Sequence, residues 1–383
     1  MDRRTHPECN LIASATAIPD NPVSTQDILS TLGEKISEDL RLSLTQLGVD
    51  ERYSIIQNYP QYLAGKIDRT LLSTTTDLAI QAIKKCITSS AIDPSRIGLL
   101  ISITNTSNRH LPCLGYEIAG SLSDLIPSHT NVVNMQDQGC SVLLKAVEIA
   151  QYYLNQKNDY NKDKYVIIVA SEGHTGFIPP LNEKNYYGLR ELKDMPHSPN
   201  QLINTMTAIE SVLFGDGAIA FLLGVNDQHP VLGPIAHLTN VEKNDIEVIH
   251  MDEGGILIPA YKDYPHYMMS ANVPRRGVFY TKKGLDLLFK QQSVFFHSLD
   301  QADLYFIHTG SKKILDGVCH KLNIETESEK ARFSYGILKN FGNLSSVSVG
   351  FMINQALKEE RNKKGLIISF GVGFSSSSGF IQL

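Results

Sequence analysis

Tyr165-Val166-Ile167-Ile168-Val169-Ala170 is apolar throughout, with no polar residue alternating, the pattern of a short strand covered on both faces. Upstream, Val142 to Leu154 carries apolar residues at helical spacing, and before it Ile97-Gly98-Leu99-Leu100-Ile101-Ser102-Ile103 reads as a second buried strand. Strand, helix and strand in that order predict an α/β fold. The order returns later in the chain. Leu304-Tyr305-Phe306-Ile307 reads as a strand, Gly342-Asn343 opens a helix as Gly139-Cys140 does, and Leu366-Ile367-Ile368-Ser369-Phe370 reads as a strand. Matching points are offset by 204 (Ile103 to Ile307), 203 (Cys140 to Asn343) and 200 (Ile168 to Ile368). An offset this constant predicts two copies of one α/β unit, residues 1–225 and 226–383, joined through Asn226 to Pro230.

The chain has 383 residues, 42% of them hydrophobic and 20% charged, enough for a large buried core. A net charge of -5, with no basic run longer than Arg361-Asn362-Lys363-Lys364, argues against a nucleic-acid partner. No apolar run is long enough to span a membrane, and Met1 to Glu8 does not read as a secretory signal. Five cysteines, an odd number with no CxxC pair, predict free thiols in a reducing, cytoplasmic setting. Neither GxxxxGK[ST] nor GxGxxG occurs, so no nucleotide site is indicated. Pro179 to Gln201 reads as a polar surface loop or partner-contact arm, Asp252 to Val273 as a structured loop or lid, and Ser375 to Ser378 as a low-complexity tract.

Duplication gives the candidate chemical residues their interest. Cys140, in Gln138-Gly139-Cys140-Ser141, precedes a helical run, where free N–H groups and the helix dipole would lower a thiol pKa. Read alone, it is also a small core cysteine. His308 ends an apolar strand, as a proton-handling group or a strand-edge histidine bonded to a carbonyl. Asn343, in Phe341-Gly342-Asn343-Leu344-Ser345-Ser346, is an N-cap or an amide donor to a bound carbonyl. On a duplicated frame the three would converge between the halves, at strand ends where α/β folds bind ligands. Gly371-Val372-Gly373-Phe374 could add a backbone N–H to that of Cys140, forming an oxyanion hole.

At these residues the chain resembles the thiolase superfamily, and most closely the condensing enzymes grouped with β-ketoacyl-acyl-carrier-protein synthase III and chalcone-synthase-type (type III) polyketide synthases. The resemblance runs from about Leu11 to Leu383. It rests on Thr106-Ser107 with Leu111-Pro112 and Tyr116, on Met135 to Cys140, on Ser171-Glu172, on Phe214-Gly215-Asp216-Gly217-Ala218, on Ile307-His308 with Ile314-Leu315-Asp316, on Gly342 to Ser346 and on Gly371 to Phe374. It implies a five-layered αβαβα thiolase fold and a homodimer in which Leu111 lies on a loop reaching the partner's cavity. Cys140 would be the acyl-accepting nucleophile. His308 and Asn343 would hold the extender's thioester carbonyl, and the N–H groups of Cys140 and Val372 the oxyanion. Phe214 would stand at the pocket entrance, with Leu111, His174 and Phe177 as further pocket residues.

The chain also departs from these families. His308-Thr309-Gly310-Ser311 lacks the carrier-protein synthases' Gln-Ala-Asn, and the polyketide synthases' Pro-Gly-Gly is incomplete. His174 and Phe177 replace smaller residues typical of the plant enzymes. There is no tryptophan for a coenzyme A clamp, so Lys312 and Lys313 are the candidate contacts to coenzyme A or acyl carrier protein (ACP). Leu111-Pro112 stands where head-to-head condensing enzymes carry a glutamate before the proline.

The implied activity is a ketosynthase joining an acyl thioester to a malonyl-type extender by decarboxylative Claisen condensation. Acyl-CoA or acyl-ACP and malonyl-CoA or malonyl-ACP would be the substrates, with no metal or redox cofactor. The alternatives are a thiolase-fold acyltransferase passing the acyl group from Cys140 to oxygen or nitrogen, and a non-catalytic partner subunit of a condensing enzyme.

Overall fold

The computed structural model describes residues 8–156, 163–225, 230–259, 267–270, 272–291 and 297–383. The first half runs β1 (Cys9–Ala17), α1 (Thr75–Ser90), β2 (Ile97–Thr104), β3 (Asn131–Gln136), α2 (Val142–Leu154), β4 (Tyr165–Glu172), α3 (Pro199–Leu213) and β5 (Gly217–Gly224). The second runs β6 (Val231–Thr239), α4 (Val273–Phe289), β7 (Leu304–Ile307), α5 (Lys312–Lys321), α6 (Arg332–Phe341), α7 (Ser348–Glu359), β8 (Lys364–Gly371) and β9 (Ser375–Gln382). Of the junction read at Asn226 to Pro230, residues 226–229 lie outside the described residues.

The nine strands lie in the order β7-β8-β9-β6-β1-β5-β4-β2-β3. Outward from the β6–β1 junction, β1-β5-β4-β2 on one side matches β6-β9-β8-β7 on the other. Strands β2, β3 and β4 are mutually parallel, as are β7 and β8, while β5 and β9 run antiparallel to their neighbours. The repeat is incomplete: β3 has no counterpart, and α6 occupies that stretch of chain. At the junction only Cys9 and Asn10 pair with Leu232 and Val231, so the two sides are free to fold face to face.

Helix α1 covers the outer face of the first side, through a core including Leu78, Ile83, Leu100, Ile167 and Leu222. Helices α2 and α7 fill the space between the sides, joining Ile101, Ile168 and Phe221 of one to Phe306, Ile367 and Ile381 of the other. Helices α4 and α5 cover the far face, against Ile307, Ile368 and Phe380. These five layers explain why β4 reads as continuously apolar: Ile167 and Val169 face α1, and Val166, Ile168 and Ala170 face the central helices. A capping box fixes the start of α1, with the Thr74 hydroxyl accepting from Asp77 N and the Asp77 carboxylate from Thr74 N.

Pro179 to Gln201, read as a surface loop or partner-contact arm, is held against the chain's own N-terminal part. Tyr186 pairs with Ile36, Leu181 N donates to Leu63 O, and the Ser37 hydroxyl donates to Glu191, so the segment lies on the chain's own N-terminal helices. Ser375 to Ser378 is a buried strand, whose small side chains let α2 and α4 approach from opposite faces. Asp252 to Val273 is described only in part, because 260–266 and 271 lie outside the described residues; Met268–Met269 pairs with Ile249–His250 beside the cavity. No helix among the described residues is long and apolar enough to cross a membrane.

Helix α3 buries Glu210 with Oε1 unpartnered, and burial pushes its carboxyl up to about 8. The folded chain therefore keeps a proton there that the unfolded chain loses near pH 4.5, and stability falls as pH rises between those values, by up to about 1.4 kcal/mol per pH unit. Thermal unfolding of Glu210→Gln should show a midpoint gain over the parent that is larger at pH 8 than at pH 5. An equal gain at both would mean that Glu210 does not hold the proton.

Candidate active site

The nucleophile turn follows β3. Asp137 (φ 57°) and Gly139 (φ 71°) take left-handed backbone conformations that bring Cys140 to the start of α2. The Gly371–Phe374 turn packs onto this one, backbone against backbone. A Cβ on Gly139 would lie 2.5 Å from Val372 N, and one on Gly371 only 2.4 Å from Cys140 N. Among the described residues, neither Cys140 N nor Val372 N donates to another backbone carbonyl, which leaves two adjacent N–H groups for a ligand. Behind them the Ser141 hydroxyl meets that of Ser375 (2.8 Å), which donates to Val372 O.

His308 follows β7, with its N–H on Ile368 O (2.9 Å) and its ring edge-on to Phe370 (5.5 Å between centroids). Burial pushes its pKa down to about 3, so the ring is neutral. Nδ1 is buried without a partner. A lone pair costs less there than an orphaned N–H, which assigns the proton to Nε2.

Asn343 is not the N-cap expected for a helix, because a 3-10 turn (Ser345–Val347) separates it from α7. Its backbone is pinned to the Phe214 segment, through N to Leu213 O (2.8 Å) and O from Gly215 N (3.3 Å). Its Oδ1 accepts from Ser345 N (2.9 Å), so the amide group is left to donate.

Cys140, His308, Asn343, Val372, Phe214, His174 and Phe177 line one cavity of about 500 Å³. His174 is buried and stacks on Phe214, with 4.3 Å between centroids and 12° between planes. Three sequence candidates lie elsewhere. Leu111 is 84% exposed and outside this cavity. Lys312 and Lys313 begin α5, where the Lys312 ammonium already binds Glu327 (2.6 Å) and Asp316 (3.2 Å), and Lys313 is exposed.

The sequence reading also expects a lowered thiol pKa at Cys140. Instead burial pushes the thiol up to about 12, against the pull of the Ser345 hydroxyl 3.3 Å from the sulfur. The resting nucleophile is a thiol.

Sequence motifs alone missed Asn105 and Ser345. Asn105 Oδ1 accepts from Gly139 N (2.8 Å), and its Nδ2 donates to Glu172 Oε1 (2.7 Å) and to the Ser345 hydroxyl (3.3 Å). Glu172 also accepts from Asn105 N, the Thr106 hydroxyl and the Ser346 hydroxyl. The available signal was polar residues at the ends of apolar strands β2 and β4.

Residues 297–383 match the family model described as 3-oxoacyl-[acyl-carrier-protein] synthase III, C terminal. Over 380 residues the chain is 21% identical to a β-ketoacyl-[acyl-carrier-protein] synthase III of Natranaerobius thermophilus, covering 97% of this chain and 98% of that protein. Over 356 residues it is 22% identical to the α-pyrone synthesis polyketide synthase-like Pks18 of Mycobacterium tuberculosis, covering 90% and 79%. The type III polyketide synthase domain of Steely1, from Dictyostelium, superposes with a TM-score of 0.76 at 16% identity, over 98% of this chain and 99% of that one. The 3-oxoacyl-[acyl-carrier-protein] synthase III of Aquifex aeolicus gives 0.70 at 17%, over 98% and 100%. The fold is thus that of the thiolases. Residues 297–383 thus match the C-terminal part of that family, and over most of its length the chain is similar to condensing enzymes of this fold.

Two outcomes test the site. Alkylation of Cys140 by iodoacetamide, followed by peptide mass spectrometry, should accelerate about tenfold per pH unit up to at least pH 9, as expected for a thiol with a raised pKa. A plateau below pH 8 would contradict it. Gly371→Ala should push the two turns apart and slow acyl loading on Cys140 by roughly 10²–10³-fold, the usual cost of losing one oxyanion donor.

Proposed function

We propose that the protein is a ketosynthase that extends an acyl thioester with a malonyl-type unit by decarboxylative Claisen condensation. One observation carries the reading: the thiol of Cys140, from the first half, shares a cavity with the neutral imidazole of His308 and the amide of Asn343, from the second. The starter's carbonyl carbon bonds to the Cys140 sulfur while the N–H groups of Cys140 and Val372 hold its oxygen, and the starter's carrier leaves as a thiol. The extender's thioester oxygen then sits between His308 Nε2–H and the Asn343 amide. Its carbon–carboxylate bond breaks, carbon dioxide leaves, and the electron pair is held as an enolate by these two donors. The enolate carbon attacks the acyl carbonyl, the carbon–sulfur bond breaks, and Cys140 is released. Neutral donors suit this step, because an imidazolium would protonate the enolate.

On the same reading the chain divides into halves 1–225 and 226–383 and pairs with a second copy, whose Leu111 loop reaches the cavity. Coenzyme A or acyl carrier protein supplies the thioesters. A groove of about 350 Å³ along α4 and α5 gathers Arg275, Lys282, Lys283 and Lys321, a better match for their anionic groups than Lys312, whose charge is already paired. The five cysteines are all free, which supports the cytoplasm as the setting.

Intact-protein mass spectrometry with acetyl-, hexanoyl- and dodecanoyl-coenzyme A should show addition of one acyl group, absent in Cys140→Ala. His308→Ala should still load but release carbon dioxide from malonyl-coenzyme A at least 100-fold more slowly. Loading without carbon dioxide release in the parent protein would favour transfer to oxygen or nitrogen, and absence of loading a non-catalytic subunit.

A further inference from the structure

A relay of polar contacts runs from a partly buried histidine to the back of the two oxyanion turns. Ser377, fully buried on β9, donates to Ser141 O at the start of α2 (2.8 Å). The same hydroxyl stands 2.8 Å from Nδ1 of His237, on β6. A hydroxyl has one proton and a carbonyl can only accept, so Nδ1 carries the hydrogen of the second contact. In a neutral ring that leaves Nε2 with a lone pair. Nε2 is buried and faces Glu148 Oε2, on α2, at 3.2 Å, within ion-pair distance although not aligned for a straight hydrogen bond. A carboxylate that close to a lone pair repels it, so one proton resides on the ring or on the carboxyl. Burial pushes the ring down to about 4 and the carboxyl up, which favours the carboxyl. Lys145, three residues before Glu148, is the other charge acting on the ring, and it too lowers the ring's pKa. Strand β9 carries no ionisable side chain, and α4 packs on the other face of the sheet, against Ala236.

The relay ends where the cradle is built. Ser141 follows the nucleophile, and its hydroxyl meets that of Ser375 (2.8 Å), which donates to Val372 O (3.1 Å). Ser375 and Ser377 of one strand therefore brace the residue beside Cys140. We propose that His237 and Glu148, sharing one proton, are positioning residues for the oxyanion cradle: they hold Ser377 on Ser141 O, and so fix the N–H groups of Cys140 and Val372 relative to each other. The inference rests on acylation of Cys140 as set out above. With the proton in place the relay is closed. Its loss as pH rises sets a bare Nε2 against a carboxylate, turns the ring off Ser377 and loosens the cradle. No group of the relay touches the substrate.

The test follows acyl loading from saturating hexanoyl-coenzyme A by intact-protein mass spectrometry between pH 6 and 9, as the ratio of parent to Glu148→Gln. The amide in Glu148→Gln donates to Nε2 at every pH, and the titration of Cys140 is common to both proteins, so it cancels. The ratio should fall by roughly threefold or more as pH rises, and Ser377→Ala should load roughly tenfold more slowly, as expected for a misplaced donor pair. In Ser377→Ala the further change Glu148→Gln should leave the pH profile unaltered, because the relay is already cut. Nitrogen-15 NMR of labelled histidine, with His237 assigned by its loss in His237→Gln, reads the proton directly: Nδ1 should stay protonated throughout. A ratio that does not change with pH in a protein that loads, or a His237 ring bare at Nδ1, would overturn this inference alone. Absence of any adduct on the parent would remove the acylation reading and the inference with it.

Discussion

The carboxylate of Glu172 is buried completely, and everything at the site is arranged around keeping it satisfied. A buried charge is costly unless donors replace the lost water. Asn105 supplies two, one from its backbone and one from its side chain, and Thr106 and Ser346 supply the others. These donors come from both halves of the chain. Asn105 spends its remaining acceptor on Gly139 N, so the same residue that satisfies the carboxylate also sets the turn carrying the nucleophile. Ser345, beside Asn343, touches both Asn105 and the Cys140 sulfur. The position of sulfur and amide is thereby a by-product of solving an electrostatic problem one layer behind them.

In front of that layer the groups nearest the sulfur are uncharged. Burial holds Cys140 as a thiol, and His308 and His174 as neutral rings. Fixed dipoles beside uncharged side chains suit chemistry in which negative charge appears only transiently, first on a carbonyl oxygen and then on an enolate. Water or an imidazolium near such a carbanion would quench it, so a neutral His308 can steady the anion without protonating it.

Much of this frame could be read from sequence because it rests on local patterns. Strands with both faces covered cannot alternate, so β4 and β8 announced themselves as apolar runs. Two copies of one topology kept Cys140 and Asn343 close to a fixed offset. The offset misled in one place: Asn343 stands ahead of a 3-10 turn instead of capping a helix, because Ser345 takes a left-handed conformation (φ 52°) and binds the Asn343 side chain. Long-range facts were out of reach. That Asn105 meets Gly139 and that Lys312 is occupied by Glu327 both depend on segments brought together only in the folded chain. Helix-terminus reasoning for Cys140 likewise left out desolvation by its neighbours, which raises the thiol pKa.

The interlocked glycines at 139 and 371 bear on the order in which a growing polypeptide becomes competent. Synthesis completes the thiol turn more than two hundred residues before Val372, the other half of the oxyanion cradle, leaves the ribosome. A nascent or truncated product that stops short of the last strands holds its sulfur beside an unfinished socket. Reactivity is thereby deferred until the carboxyl-terminal hairpin has been laid down.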